Sequence, residues 1–165
     1  MNVNGKACRS IRLAQDGWSV DIIDQTFLPH EFRWRRLQSP EQAAEAIQFM
    51  RVRGAPLIGA TAAYGMALAM RHDASDVSLN EHLQMLLATR PTAVNLRWAL
   101  QRMRTLLQEL QIGQREYAAY REAARLCDED VEINRRIGEN GLRIFKDIAA
   151  RKPGKVLNIL THCNA

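Results

Sequence analysis

The sequence predicts an α+β domain, a small antiparallel sheet plus a helical bundle, followed by the first strand of a truncated α/β domain. Three observations carry this. The hydrophobic period changes from two to helical at Ser39, capped helical patterns then run to about residue 151, and Pro153-Gly154 precedes a short apolar run, Val156 to Leu160. The division expected is residues 1–152 for the sheet-and-helix domain and 153–165 for the start of the second.

Ser10 to Leu13, Trp18 to Asp24 and Phe32 to Leu37 read as three strands of a meander. Asp16-Gly17 marks a tight hairpin between the first two, and Pro29 separates the second from the third because it cannot donate to a ladder. Ser39-Pro40-Glu41-Gln42 supplies an N-cap serine, a first-turn proline and a Gln three residues on. That capping box starts a helix over about 40–50, with Ala43, Ala46, Ile47 and Met50 expected on its inner face.

A second helix, about 56–71, is almost wholly apolar or small, and Gly59, Ala62, Ala63, Met66 and Ala69 at helical spacing allow a neighbour to approach closely. After a polar linker at 72–76, Leu79, Leu83, Leu86 and Leu87 predict a third helix. Leu96, Leu100, Met103, Leu107 and Leu110 predict a fourth, opened by Pro91. Residues 114–151 read as one long helix, or two joined near Gly138 and Gly141, with Tyr117, Tyr120, Ala124, Cys127, Val131, Ile137, Ile144 and Ile148 as its apolar stripe. Asp128-Glu129-Asp130 reads as a solvated face, with Arg135 and Arg136 as local partners. Lys155 to Leu160 reads as a buried strand of the parallel-sheet kind, followed by the polar cluster Thr161-His162-Cys163-Asn164-Ala165.

Composition narrows the function. Apolar residues at 47% and charged residues at 25% describe a folded domain rather than a disordered one. The net charge of +5 comes from basic residues interspersed with acidic ones, so no nucleic-acid partner is expected. Cys8, Cys127 and Cys163 are odd in number and widely spaced, which fits a reducing cytoplasm better than a disulfide framework. Met1 to Lys6 lacks the apolar core of a secretion signal, and the 15-residue apolar stretch from Pro56 to Met70 is too short to span a bilayer, so no membrane partner is expected. The four histidines show no metal-ligand spacing; neither a metal nor a cofactor is assigned.

The chemistry-bearing stretch is Arg51-Val52-Arg53-Gly54-Ala55-Pro56 at the entry of the apolar helix. Pro56 suits the first turn, where its missing N–H has no partner, and Gly54 lets the backbone turn sharply against a ligand. Free N–H groups at a helix start favour an anion, and Arg53 adds a forked donor for phosphate. Arg90 precedes Pro91 in the same way, and the proline holds it out of helical geometry.

These motifs, with Tyr64-Gly65, Arg90-Pro91-Thr92-Ala93-Val94-Asn95-Leu96 and Thr161-His162-Cys163-Asn164-Ala165, resemble the N-terminal half of the methylthioribose-1-phosphate isomerases of methionine salvage. The first two signatures are shared more loosely with ribose-1,5-bisphosphate isomerases and with regulatory subunits of a translation-initiation exchange factor. The resemblance covers the whole chain and implies a Rossmann-like second domain, which carries much of a homodimer interface when full length. It implies that Arg53, Gly54 and Ala55 bind the substrate phosphate region, that Arg90 contacts substrate and that Cys163 is the catalytic cysteine, while a catalytic aspartate lies beyond Ala165. The implied substrate is a small sugar phosphate, and this chain alone is expected to be inactive. The alternative is a regulatory module of the same superfamily that senses a phospho-sugar without converting it.

Overall fold

The computed structural model describes residues 2–3 and 5–160. The Thr161 to Ala165 cluster, with Cys163, lies outside the described residues.

Among the described residues, five short strands precede five helices. β1 (Asn2–Val3) and β2 (Lys6–Ala7) pair antiparallel around Gly5 at φ 79°, a hairpin whose two-residue strands leave no periodic trace in the sequence. β3 (Ile11–Leu13), β4 (Val20–Ile23) and β5 (Trp34–Leu37) form the expected meander in that order, with Ile11 opposite Ile22 and Val20 opposite Leu37. The Asp16-Gly17 turn is fixed by the Asp16 carboxylate, which accepts from the Ser19 hydroxyl at 2.5 Å and from the amides of Trp18 and Ser19 at 3.0 and 2.9 Å. Gly17 takes the positive φ, 80°, that the turn requires.

α1 (Pro40–Gln48) starts as read, Ser39 accepting the Gln42 amide at 3.3 Å. The Gln42 side chain, however, takes the Gln38 amide at 2.7 Å rather than that of Ser39, so the reciprocal half of the box sits one residue upstream. Met50 does not reach the inner face. It is 44% exposed and left-handed at φ 56°, because the helix ends in a Schellman motif: the Arg51 amide donates to Ala46 at 2.9 Å and the Met50 amide to Ile47 at 3.3 Å.

α2 (Ala55–His72) is the axle of the molecule. Every residue from Ile58 to Met70 is buried, and the helix packs on α1, α3 (Asp76–Thr89), α4 (Val94–Gln108) and α5 (Ile112–Arg151). A helix apolar on all sides is stable only when wrapped in this way. Its glycines set the distances: a methyl at Gly65 would stand 3.0 Å from Ala43 Cβ and 3.2 Å from both Leu86 methyls. α3 buries Leu79, Leu83 and Leu86, and α4 buries Leu96, Leu100, Met103 and Leu107, as their spacing predicts.

α5 is one unbroken helix of 40 residues that passes straight through Gly138 and Gly141. Its buried line is Arg115, Ala119, Glu122, Ala123 and Leu126, one step away from the expected stripe; Tyr117 is 69% exposed, while Tyr120 and Cys127 flank the core. Arg115 ties the helix start to both neighbouring loops, donating to Ala74 at 2.9 Å and Leu110 at 3.2 Å and pairing with Asp76 at 2.6 Å. Beyond Val131 the expected stripe is not buried. The acidic run is partnered at long range, Asp128 by Arg9 and Glu129 by Arg102 at 2.6 Å each, whereas Arg135 pairs with Glu132 and Glu139, and Arg136 with Glu132.

Residues 155–160 form no strand; Val156 and Leu160 are 85% and 98% exposed. A buried parallel strand needs a neighbouring strand to share its backbone hydrogen bonds and cover on both faces, and no strand stands beside this segment among the described residues.

Candidate functional site at the starts of α2 and α4

Two arginines close together in sequence have opposite employment. Arg51 is structural: it donates to Asp24 at 3.0 Å and to Glu45 at 2.8 and 3.2 Å, joining the loop after β4 to α1. The Arg51 hydrogen bond, against the cost of burial, holds the Glu45 carboxyl below its usual range. Asp24 is also held low, burial opposing and the hydrogen bonds from Thr26 and Arg51 prevailing. Arg53 is exposed and, among the described residues, makes no side-chain hydrogen bond or ion pair. Gly54 follows as N-cap of α2 at φ 89°, with no side-chain cap, and its carbonyl accepts the Ile58 amide at 3.0 Å. The loop that carries Arg53 is therefore pinned by Arg51 while Arg53 itself is available.

Arg90 is extended, φ −147° and ψ 83°, as a residue before proline should be, and it too makes no side-chain bond among the described residues. Pro91 does not open α4. It lies in a turn closed by the Ala93 amide on the Arg90 carbonyl at 3.0 Å, and the helix starts at Val94 with Ala93 as N-cap. The turn leaves Arg90 farther from its helix start than Arg53 is from α2, so the two positions are not equivalent. Arg97 steadies the turn by donating to the Pro91 carbonyl at 3.1 Å.

The fold brings the two helix starts together. Gly59 makes this possible: a methyl there would meet the Asn95 carbonyl oxygen at 3.1 Å and Ala99 Cβ at 3.3 Å. Neither N-cap has a side-chain acceptor, so first-turn amides of both helices keep their donors for an anion. Beside them opens a cavity of about 600 Å³. Pro56 and Leu57 of α2, Val94, Asn95 and Trp98 of α4, Leu126, Cys127 and Asp130 of α5, and the Cys8-Arg9-Ser10 segment line it. Burial pushes the Cys127 thiol up to about 11, Arg9 offsetting only part of the effect, and burial likewise raises the Tyr64 phenol. Both stay protonated near neutrality, so Cys127 is a wall residue and no nucleophile.

Of the sequence-predicted residues, Arg53, Gly54 and Ala55 lead into α2 and Arg90 ends α3 ahead of the turn to α4; none of the four is among the residues lining the cavity, and Cys163 lies outside the described residues. Sequence reasoning missed Asn95, Trp98 and the Cys8 to Ser10 wall. Val94 and Trp98, one turn apart on the face of α4 opposite its leucines, carried the only signal. No group of three His, Cys, Asp or Glu side chains able to hold a metal occurs among the described residues, and no described helix is long and apolar enough to cross a membrane.

Residues 51–165 match the model of the initiation factor 2 subunit family. A methylthioribose-1-phosphate isomerase of Rhodospirillum centenum is 56% identical over 165 residues, all of this chain and 44% of that protein. The chain therefore spans less than half the length of such curated relatives. Among solved structures, 5-methylthioribose 1-phosphate isomerase of Pyrococcus horikoshii is similar at TM-score 0.77 and 37% identity, covering 84% of this chain and 41% of that one. The delta subunit of translation initiation factor eIF-2B from A. fulgidus follows at 0.75 and 36%, covering 84% and 42%. On the strength of a family match over most of its length, the chain belongs to the initiation factor 2 subunit family.

Proposed function

We propose that this chain supplies the phosphate-recognising part of an aldose–ketose isomerase that converts 5-methylthioribose 1-phosphate to 5-methylthioribulose 1-phosphate in methionine salvage. The observation that carries the reading is the convergence of two uncapped helix starts, each preceded by an unpaired arginine, beside one cavity. The names of the similar proteins add the substrate.

The residue types suit the reaction. Phosphate on the anomeric oxygen locks the sugar as a furanose, so the ring must open before the carbonyl can move from C1 to C2. A site for this substrate has to hold the phosphate firmly while leaving the ring oxygen and the C1–C2 hydrogen to other groups. Arg53 and Arg90 perform the first task, with Gly54 and Ala55 letting the backbone approach the phosphate oxygens. Cys163 acts at the reacting carbons, and the acid that protonates the ring oxygen comes from outside this chain. On this reading the chain works in the cytoplasm, as part of a homodimer whose second domain is Rossmann-like, begins near residue 153 and carries much of the dimer interface, without cofactor or nucleic acid.

Activity tests the proposal. Joined to the remaining part of the Rhodospirillum centenum relative, the chain should convert the aldose phosphate to the ketose, whereas alone it should not. Cys163→Ser in the joined protein should keep the fold and lower turnover at least a hundredfold, since a hydroxyl ionises far above a thiol. A joined protein that binds the sugar phosphate tightly but never converts it would favour the other reading, a phospho-sugar sensor, which the near-equal likeness to the eIF-2B delta subunit also suits.

A further inference from the structure

We propose, resting on the phosphate reading above, that Arg97 is a positioning residue: it holds the Arg90-Pro91-Thr92-Ala93 turn in the shape that presents Arg90 to the substrate. Each of the two arginines assigned to phosphate has a second arginine nearby in sequence. Arg51 pins the loop of Arg53 through Asp24 and Glu45. Arg97 does the corresponding work for Arg90, with backbone carbonyls in place of carboxylates. The Arg90 carbonyl accepts the Ala93 amide at 3.0 Å and closes the turn, and the Ala93 carbonyl accepts the Arg97 amide at 3.2 Å. From there the Arg97 side chain reaches back and donates from Nη2 to the Pro91 carbonyl at 3.1 Å. One residue thus grips the turn at two points, through its backbone and through its guanidinium.

No other side chain braces this turn among the described residues. Arg90 and Thr92 make no side-chain hydrogen bond there, Pro91 has no amide to donate, and Pro91 and Thr92 are exposed, so packing does not fix them. Upstream, α3 is closed by the Thr89 hydroxyl, which donates to the Leu86 carbonyl at 2.6 Å. Downstream, α4 is fixed against α2 where Asn95 approaches Gly59. The freedom left between these anchors is the turn itself, and Arg90 stands in it. Arg97 has no carboxylate at ion-pair distance among the described residues, so the Pro91 carbonyl has its undivided donors. A single exposed bond of this kind contributes little to global stability, and its effect falls on the local opening of the turn. A binding group that is in place only part of the time lowers affinity by that fraction.

Two measurements together test this. In the 165-residue chain, hydrogen exchange at the Ala93 amide reads opening of the turn. Arg97→Ala should speed that exchange by about threefold or more while the melting temperature holds, since the side chain is exposed. In the joined protein, titration of 5-methylthioribose 1-phosphate should show Arg97→Ala binding about twofold or more weaker, but by no more than the change in exchange, because a population shift can cost no more than the population moved. In the Arg90→Ala background the same change should leave affinity within about 1.5-fold, since Arg97 acts through Arg90. Arg97→Lys, whose ammonium can still reach one carbonyl, should restore both readings, whereas Arg90→Lys should not, lacking the planar fork. Unchanged exchange in Arg97→Ala overturns the brace. Affinity losses that multiply with Arg90→Ala, or that exceed the change in exchange, overturn the positioning role and make Arg97 a direct phosphate ligand. An Arg90→Ala variant of unaltered affinity overturns the phosphate reading itself, whereas an effect at Arg90 with none at Arg97 overturns only the role given to Arg97.

Discussion

Arg51 and Arg53 stand two positions apart and present the same guanidinium, yet their surroundings give them separate tasks. Arg51 faces Asp24, whose side chain is only 3% exposed, so Arg51→Ala would strand a buried carboxylate and should cost about 3 kcal/mol in urea unfolding. Arg53→Ala should leave the same unfolding curve unmoved. Met50 makes a second residue-level case. It holds a left-handed conformation at the end of α1 that glycine adopts without steric cost, and its side chain is largely outside the core. Met50→Gly should therefore stabilise the chain by about 0.5–1 kcal/mol, against the usual sign for losing a large apolar side chain. Cys127 sets a pH dependence. Its thiol moves from an ordinary value near 9 to about 11, so between those values the unfolded chain ionises while the folded chain holds its proton. Stability should be unaffected by this group below about pH 9 and fall as pH rises to about 11; Cys127→Ala should flatten that part of the slope.

At the scale of elements, the helix starts carried by Ser39 and Gly54 were legible because capping is local chemistry, written in three or four adjacent residues. Ends were harder. Met50 looked like the next apolar position of α1, but a Schellman stop overrode the period, and Pro91 looked like a first helical residue while the chain spent it on a turn. The phase of α5 was misread for a related reason. Tyr117 and Tyr120 drew the stripe toward themselves, although the bundle accepts only the small Ala119 and Ala123 at its tightest line against α2. That tightness is itself testable. Gly65→Ala in α2 would press a methyl to 3.0 Å from Ala43 Cβ and 3.2 Å from Leu86, and should destabilise by about 1–3 kcal/mol despite the better helix propensity of alanine. A melting temperature equal to or above that of the parent chain would mean that α1 and α3 can part more easily than the packing shows.

For the whole molecule, the order sheet, then bundle, was readable from the change of period, and two short motifs supplied the residues proposed to hold an anion. The cavity was not, because it is assembled from the N-terminal segment, α2, α4 and α5, whose meeting no local pattern encodes. The strand expected at 155–160 could be read only as an apolar run, since a strand exists through its neighbours. The central claim is that Arg53 and Arg90, from separate helix starts, serve one phosphate. Isothermal titration of 5-methylthioribose 1-phosphate into the joined protein, its Arg53→Ala and Arg90→Ala variants and the double variant tests it most directly. Each single change should weaken binding by about 1.5–3 kcal/mol, with the double variant losing less or more than their sum because the two groups share a ligand atom cluster. Unaltered affinity in both single variants, or strictly additive losses, would contradict the shared site.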